Sequence, residues 1–428
     1  MVNDPTSGSA SRSWLYQPEF RADWARCSLF SLATWLNGMA FRDINFSLTG
    51  RPVIKIAEIK NGLSGQTKYT EAEYDPALLV KSGDMLFSWS GQPETSIDVS
   101  WWRGRDGWLN QHIFKVLPDT DRCTIDFFFY LLKYLRPSFV GIARNKQTTG
   151  LGHVTRRDLE AITVGIPSLS EQRAIASILG ALDDQIELNR KMSATLEAMA
   201  QALFKSWFVD FDPVRAKAEG RDTGLPPEIA ALFPDSLEAW ELGEIPTGWR
   251  ITSLGDITSF EYGKPLKAED RRKGPIAVYG SNGIVGWHDE PLVSGPGVVI
   301  GRKGNPGTVT WAQNDFFPID TTFYAMPKAQ DCLHFLFHAL RDQDLAHLSA
   351  DSAVPGLNRN QAYMSKQVLP PSKLLTRFDS TVAALFRRGF QAAEESKTLA
   401  ALRDALLPKL ISGELRVTDA ERILEKSA

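Results

Sequence analysis

Residues 166–179 read IPSLSEQRAIASIL, and residues 369–386 read LPPSKLLTRFDSTVAALF. In both stretches a proline follows a short apolar run, and a long segment with regularly spaced apolar residues then begins. A proline restricts the residue before it to extended conformations and is tolerated at the start of a helix. Each stretch therefore predicts a short strand that passes directly into a long helix. Pro167 and Pro370 place the two transitions 203 residues apart.

Two further blocks recur before each helix, in the same order. Trp24, Ser28, Leu29 and Gly38 match Trp249, Ser253, Leu254 and Gly263 at an offset of 225 residues. GQPET at 91–95 matches GNPGT at 304–308 at an offset of 213. Three blocks in one order, with an offset that only shrinks, indicate an internal duplication whose first copy carries extra residues.

Each copy divides into a head and a helix. The heads, residues 1–168 and 240–370, are rich in glycine, proline, tryptophan and short β-branched runs, which is typical of short strands joined by turns. The segments 51–60 and 297–302 are predicted as strands, and short helices are predicted near 125–135 and 332–341. The heads are therefore predicted to be mixed α/β domains in an α+β protein.

The helical segments, residues 169–209 and the first part of 371–428, are joined to the heads through a connector at 210–239. Each helix is predicted to span about 38 residues, or roughly 57 Å. An apolar stripe of that length packs either on its own head or against the other helix, and its length favours antiparallel, coiled-coil-like pairing of the two helices with pseudo-twofold order. The stripe of the first helix includes Met199. The predicted seam comprises Ile175, Leu182, Asn189, Leu196 and Leu203, with Phe378, Leu385, Leu399 and Leu406.

Two features of the first helix need structural explanation. Ser170 and the acid that follows it are predicted as the N-cap and first turn. Asn189 occupies a seam position where an apolar residue is expected. It either lies buried and fixes the register of the helices or faces solvent where the seam drifts, and the sequence leaves both open.

Composition restricts the possible function classes. The formal net charge is −3, so binding to nucleic acid would depend on local basic patches. The three cysteines lie far apart and form no CxxC pair, which predicts a reduced, cytoplasmic protein. The longest apolar runs are too short to cross a bilayer, so no membrane association is expected.

The sequence contains no convincing catalytic set. There is no Walker A motif, and HFLFH at 334–338 lacks the internal glutamate of a zinc protease, which favours a structural histidine pair. Glu58 and Lys60 match the ExK ending of metal-dependent nucleases, but so short a pattern is expected by chance. We therefore predict no catalytic residue, cofactor site or metal site, and we favour a binding or organising protein.

Basic and amide-bearing loops recur at equivalent places in the two heads. Arginine and lysine neutralise phosphates, and asparagine and arginine read base edges. The alternative is that these loops are merely solvated. The candidate DNA contacts are Arg144, Lys146, Thr148, His153 and Arg156 in the first head, and Lys264, Arg302, Lys303, Asn305, Asn358, Arg359 and Asn360 in the second.

Longer motifs carry a resemblance to a known family. The chain resembles the DNA-specificity (S) subunit of type I restriction–modification systems over nearly its whole length. The motifs are PSLSEQRAIASILGALDDQIELNRKM (167–192), LFKSWFVDFDPVRAK (203–217), LGEIPTGWRITSLGDI (242–257), AVYGSNGIVG (277–286), GRKGNPGT (301–308) and LLPKLISGELRV (406–417). The fourth motif adds Tyr279, Ser281 and Asn282 to the candidate DNA contacts.

The resemblance implies that each head is a target-recognition domain for one half of a bipartite, asymmetric site in double-stranded DNA. It also implies that the helices set the gap and dock two methyltransferase subunits, and that restriction/translocase subunits complete the complex. Methylation and cleavage, with S-adenosylmethionine, ATP and Mg²⁺, are expected on those partners, so this chain would be non-catalytic.

The chain departs from the family pattern in two places, at 88–92 in the first head and at the second helix opening, which lacks Glu-Gln. The alternative functions are a coiled-coil scaffold that does not touch DNA and a stand-alone metal-dependent nuclease.

Overall fold

The computed structural model describes residues 18–147, 150–240, 243–328, 332–350 and 356–427. The chain divides into two compact units. The first holds the described part of Met1–Glu187 together with that of Lys397–Ala428, and the second holds the described part of Leu188–Ser396.

The first unit contains the first head and the beginning of a long helix. Its strands are β1 (Ala25–Ser28), β2 (Ala33–Asn37), β3 (Arg51–Ile54), β4 (Tyr69–Thr70), β5 (Leu79–Val80), β6 (Met85–Ser88), β7 (Ser90–Gly91), β8 (Asp98–Trp101), β9 (Gly107–Leu109), β10 (Ile113–Pro118), β11 (Gly152–His153) and β12 (Thr163–Ile166). Its helices are α1 (Ile56–Asn61), α2 (Pro93–Ser96), α3 (Ile125–Asn145), α4 (Arg156–Ala161) and the first part of α5 (Leu169–Phe208).

The second unit contains the rest of α5, the connector, the second head and the beginning of another long helix. Its strands are β13 (Leu237–Trp240), β14 (Gly243–Pro246), β15 (Arg250–Ser253), β16 (Thr258–Tyr262), β17 (Ile276–Gly280), β18 (Gly283–His288), β19 (Gly297–Gly301), β20 (Val309–Ala312), β21 (Phe316–Pro318), β22 (Thr322–Pro327), β23 (Ser349–Ala350), β24 (Gly356–Leu357) and β25 (Lys366–Leu369). Its helices are α6 (Asp212–Ala218), α7 (Pro227–Ala230), α8 (Leu254–Ile257), α9 (Leu333–Asp342), α10 (Arg359–Met364) and the first part of α11 (Ser372–Ser412), whose last part, with α12 (Val417–Ser427), belongs to the first unit.

A four-stranded antiparallel sheet in the order β2-β10-β6-β8 forms the centre of the first head. Helix α3 packs in the same core, because Phe127, Phe128, Leu131 and Phe139 are fully buried. Apolar residues lie on several sides of α3, which is the pattern of a helix surrounded by protein. The predicted helix near 125–135 is confirmed and is longer than expected.

The second head repeats this arrangement. Its central sheet has the order β16-β22-β19-β20, and these strands take the places of β2, β10, β6 and β8 in the first head. In the first head Ala25 pairs with Ile166, and in the second head Arg250 pairs with Leu369. These pairs are related by the offsets of 225 and 203 residues found in the sequence. The internal repeat and the mixed α/β heads are therefore confirmed.

Two matched glycines mark the same close backbone crossing in each head. A Cβ atom on Gly38 would lie 2.1 Å from the carbonyl oxygen of Asn110, and one on Gly263 would lie 2.2 Å from that of Ile319. The amide of Gly38 donates to the carbonyl of Ile113, and the amide of Gly263 donates to the carbonyl of Thr322. No side chain fits at either position, which explains why the repeat retains glycine at both.

The two long helices contain 40 and 41 residues. In the second unit the Ser193 hydroxyl lies 3.0 Å from the carbonyl oxygen of Gly389, and the rings of Phe208 and Phe378 lie 4.9 Å apart. Later residues of α5 thus contact earlier residues of α11, which makes the pair antiparallel. In the first unit Arg403 donates to Asp183 over 2.6 Å.

The predicted seam residues are all buried or half-buried. Asn189 is 1% exposed, so the solvent-facing alternative is wrong. Met199 is a correction to the predicted stripe, because it is 52% exposed while Ala200 beside it is buried. A straight helix drifts by about 20° per heptad, which moves the buried line off a strict seven-residue repeat. The same helices also pack on the heads, as Ile175 does in the first core, so both proposed partners of the stripe are used.

The N-cap of helix α5 lies two residues before the predicted cap, Ser170. The Ser168 hydroxyl accepts the amide of Glu171 over 3.3 Å, so Ser168 caps the helix and Ser170 lies inside it. Gln172 is fully buried and joins the helix to the head, because its side chain accepts the amide of Thr124 and donates to the carbonyl of Pro167. The Glu-Gln pair that the second helix lacks is therefore partly a structural joint.

One local prediction differs from the structure. The segment 51–60 was predicted as strand, but β3 ends at Ile54 and α1 follows it. Glu58 accepts the amide of Lys55 over 3.1 Å, and this cap starts a helix that the β-branched run conceals. The connector contains α6 and α7, and Val214 and Phe233 are buried in the core of the second unit.

Candidate nucleic-acid interface

Four loops of the second head are tied together by backbone hydrogen bonds. The amides of Arg302 and Lys303 both donate to the carbonyl of Thr321, over 2.9 and 3.1 Å. The amide of Leu357 donates to the carbonyl of Arg302, and the amide of Lys264 donates to that of Pro318. These bonds bring together the predicted residues that follow β16 and β19 and those that begin α10.

Glycines shape the loop at 301–307. A Cβ atom on Gly301 would lie 2.2 Å from the carbonyl oxygen of Asn305, and Gly304 has a φ of +82°. The Cβ position of Gly304 lies 3.4 Å from the hydroxyl of Ser281, so the turn at 281–282 adjoins this loop. Ser281 is half-buried, and Asn282, Lys303 and Asn305 are exposed.

Two arginines of this surface converge on one aromatic ring. The guanidinium carbons of Arg302 and Arg359 lie 5.0 and 5.1 Å from the ring centroid of Tyr262, the last residue of β16. Nη1 of Arg302 donates to the carbonyl of Asp320 over 2.9 Å, which fixes one edge of the guanidinium. Tyr262 was not among the predicted contacts, although its place just before Gly263 and Lys264 was a signal.

Three other predicted residues of the second head have different environments. Asn358 caps α10, since its side-chain oxygen accepts the amides of Asn360 and Gln361 over 3.0 and 3.2 Å. Asn360 is exposed. Tyr279 is a correction, because it is 8% exposed and packs edge-on against Phe316 in the core. Its side chain is occupied by packing and does not form part of the exposed surface.

The first head builds the same frame with different side chains. The amide of Trp89 donates to the carbonyl of His112, and the amide of Val154 donates to that of Trp89. Through the repeat, Trp89 corresponds to Arg302 and His153 to Gly356. The Trp89 indole donates to Asn37 over 2.9 Å, and its ring centroid lies 5.6 Å from that of His112 and 5.9 Å from that of His153.

His112 of this cluster favours its neutral form. Burial lowers the pKa of His112 below its ordinary value, and the nearby His153 adds to the effect. Among the described residues, His153 is the predicted contact of the first head that joins the cluster of Trp89 and His112. Sequence analysis missed Asn37, Trp89 and His112, but the repeat offsets pointed to Trp89.

The cations predicted for the first head are already paired with acids. Arg144 forms an ion pair with Glu94, and Arg156 pairs with Glu160 over 2.7 Å. Lys146 lies 2.6 Å from Oδ1 of the buried Asp158. Burial alone would raise the pKa of Asp158, but hydrogen bonds from Lys146 and Thr155 hold it below its ordinary value. These cations form internal contacts, and their assignment as DNA contacts stays a prediction.

Thr148, also predicted for the first head, lies outside the described residues. Among the residues that the structure describes, no group of three or more His, Cys, Asp and Glu side chains is placed to hold a metal ion. Glu58 of the nuclease pattern is buried and caps α1. In the same part of the chain, no helix is both long and apolar enough to span a membrane.

Duplicated α/β heads on paired long helices define the structural class, and comparisons with known proteins define the family. The profile of the family described as "Type I restriction modification DNA specificity domain" matches residues 22–198. The chain is 26% identical over 406 residues to the HindI type I restriction enzyme specificity subunit from Haemophilus influenzae, covering 78% of this chain and 87% of that protein. A putative MjaX specificity subunit from Methanocaldococcus jannaschii is 38% identical over 236 residues, or 53% of this chain and 50% of that protein.

A solved structure supports the fold assignment. The S subunit of a type I restriction–modification system from M. genitalium aligns with a TM-score of 0.59 and 18% identity, over 92% of this chain and 99% of that one. The family profile and the curated relatives show that this chain belongs to the specificity subunits of type I restriction–modification systems.

Proposed function

We propose that each head reads one half of a bipartite, asymmetric DNA site. The observation that carries this proposal is the shared backbone frame with unlike side chains. At matched positions the first head has Asn37, Trp89, His112 and His153, and the second head has Tyr262, Arg302, Thr321 and Gly356. Identical frames hold these side chains in equivalent places, while different hydrogen-bonding groups favour different base sequences.

We infer that α5 and α11 set the gap between the half-sites. Both helices are continuous, they pair in antiparallel order in the second unit, and Arg403 joins α11 to Asp183 of α5 in the first. A continuous helix has a fixed rise of about 1.5 Å per residue, so its length is a fixed spacing. The relatives are named as specificity subunits of restriction enzymes, and this supports a role in which other subunits perform the chemistry.

The partners that we propose are two methyltransferase subunits, docked on the helical regions, and restriction/translocase subunits. S-adenosylmethionine, ATP and Mg²⁺ would bind those subunits, and this chain would act in the cytoplasm without catalytic residues of its own. The formal charge of −3 supports shared DNA binding, because a chain with an acidic balance gains little from the general attraction of a polyanion.

The test is to determine the recognition sequence with the complete methyltransferase complex. Methylation sites would be mapped in cells that carry the parent chain, Trp89→Ala or Arg302→Ala. We expect a bipartite parental motif, relaxed in one half by Trp89→Ala and in the other half by Arg302→Ala. Relaxation of the same half by both variants would contradict one head per half-site, and the absence of any motif would contradict sequence reading.

A further inference from the structure

Arg302 and Arg359 form a pair of neighbouring positive charges in the second head. The guanidinium carbons of both residues lie over the ring of Tyr262, at 5.0 and 5.1 Å from its centroid. Neither forms an ion pair with a carboxylate within the described ranges of the chain. By contrast, Arg272 of the same head pairs with Asp289 over 2.7 Å.

The aromatic surroundings hold these arginines without neutralising them. Arg302 also lies 5.8 Å from the centroid of Phe323, and Arg359 lies 5.9 Å from that of Tyr363. A cation above an aromatic face is stabilised and its plane is restricted, but it keeps its charge and its donors. Tyr262 itself is 49% exposed, so the cluster is open to a ligand.

We propose that Tyr262 positions Arg302 and Arg359 to read guanine bases in the half-site of the second head, an inference that rests on the proposed function. Guanine presents two acceptors, O6 and N7, in the major groove, and arginine binds both with its planar fork. Nη1 of Arg302 is bonded to the carbonyl of Asp320, so its remaining donors are presented in a fixed direction.

Lysines on neighbouring loops are placed to contact the phosphate groups of the DNA. Lys264 and Lys303 are exposed and belong to the loops that meet at Arg302. Lysine is a flexible point charge that contacts phosphate without reading sequence. The second head therefore separates two tasks: arginines held on an aromatic ring read bases, and free lysines bind the backbone.

The first head lacks this arrangement. Its counterparts of Tyr262 and Arg302 are Asn37 and Trp89, which bond to each other. The counterpart of Arg359 is Arg156, which is paired with Glu160. Guanine reading by paired arginines is therefore assigned to the second half-site alone.

The experiment measures binding of the complete methyltransferase complex to DNA duplexes that carry every single-base substitution in both half-sites. Variants are Arg302→Ala, Arg359→Ala, Tyr262→Leu and Tyr262→Phe, with Arg272→Ala as the matched arginine that is already ion-paired. We expect the parent to lose about 10- to 100-fold in affinity when a contacted guanine is replaced. Arg302→Ala and Arg359→Ala should each become insensitive to substitution at one such position.

Tyr262 is a positioning residue, so its variants carry a separate readout. Tyr262→Leu should reduce discrimination at both guanine positions and leave the first half-site unchanged, whereas Tyr262→Phe, which keeps the ring, should retain discrimination. Arg272→Ala should match the parent. A Tyr262→Leu variant with parental discrimination would overturn the positioning role.

Two outcomes separate failure of this inference from failure of the proposed function. If Arg302→Ala lowers affinity equally for all duplexes and reduces the slope against log salt by about one, Arg302 contacts phosphate, and guanine reading is wrong while sequence-specific binding stands. If the parent complex shows no preference at any position, the proposed function itself is overturned.

Discussion

His334 and His338 lie one turn apart on α9 but have opposite environments. Nδ1 of His334 lies 2.9 Å from Oδ2 of Asp379, and Oδ1 of the same carboxylate accepts the backbone amide of His334. His338 is 2% exposed, stacks 5.5 Å from Phe204, and its Nε2 has no hydrogen-bond partner in the part of the chain that the structure describes. Both side chains are buried, and they differ in that His334 is held by Asp379 whereas Nε2 of His338 is without a partner among the described residues.

The unpaired His338 predicts a specific pH dependence of stability. Burial lowers its pKa from 6.5 to about 4, and Arg341 and His334 add to the effect. Between these values the unfolded chain binds a proton that the folded chain excludes, so stability is complete above pH 6.5 and falls as the pH approaches 4. The loss should reach about 3 kcal/mol, and His338→Phe should remove it. Urea unfolding of the parent and variant between pH 7 and 4 measures the difference.

His347 supplies the matched control for that experiment. Its side chain is 86% exposed, so His347→Phe should keep the parental pH dependence. The interpretation fails if the His338→Phe variant and the parent lose equal stability over the same pH range.

The buried line of the long helices passes through large aromatic residues where it meets the second head. Phe378 is fully buried and lies 4.9 Å from Phe208 and 5.9 Å from Trp207 between ring centroids. Ser193 and Gly389 instead allow a close approach of the two helices, through one hydroxyl-to-carbonyl contact of 3.0 Å. The helix pair thus changes from a polar, narrow contact to an aromatic core along its length.

This difference predicts that replacing one side chain by alanine on α11 and one on α5 will change stability by unequal amounts. Phe378→Ala removes a fully buried ring and should destabilise the second unit by about 3–5 kcal/mol. Met199→Ala, at a position that the apolar stripe predicted to be buried, should change stability by no more than about 0.5 kcal/mol, because Met199 is 52% exposed. Helix α9 packs on Phe378, so hydrogen exchange of its backbone amides measures the stability of the second unit in both variants. Equal protection in the two variants would contradict the buried line described above.

The elements that were predicted well are those with a strong local signal. Both long helices begin within a residue or two of their predicted starts, since a proline and a long 3.6-residue period mark them. The error at 51–60 arose because β-branched residues precede a cap formed by Glu58, and the cap decides the conformation. Short helices such as α4 depend on similar caps, which are hard to separate from turns in a sequence.

At the scale of the whole molecule, the sequence is a better guide to the candidate surface of the second head than to that of the first. In the second head the glycine-rich loops and the basic residues around Arg302 were visible in the sequence, but Tyr262 was missed and Tyr279 is buried. In the first head, cations such as Lys146 are neutralised by acids that are distant in sequence, Asp158 among them. Ion pairing of that kind is a property of the folded chain. Trp89, whose ring packs with His112 and His153, could be predicted only as the counterpart of Arg302 in the repeat.

The spacing role of the helices can be tested by lengthening both of them together. A seven-residue repeat inserted into α5 near Asn189 and into α11 near Ala392 keeps the seam in register and adds about 10 Å of helix. At about 3.4 Å per base pair, the gap in the recognition sequence should grow by about three base pairs while both half-sites stay the same. Seven residues inserted instead between Gly220 and Gly224, in the connector, lengthen the chain without lengthening either helix and should leave the gap unchanged. Methylation mapping reads both results, and a changed half-site with a constant gap would show that the helices do not measure the distance.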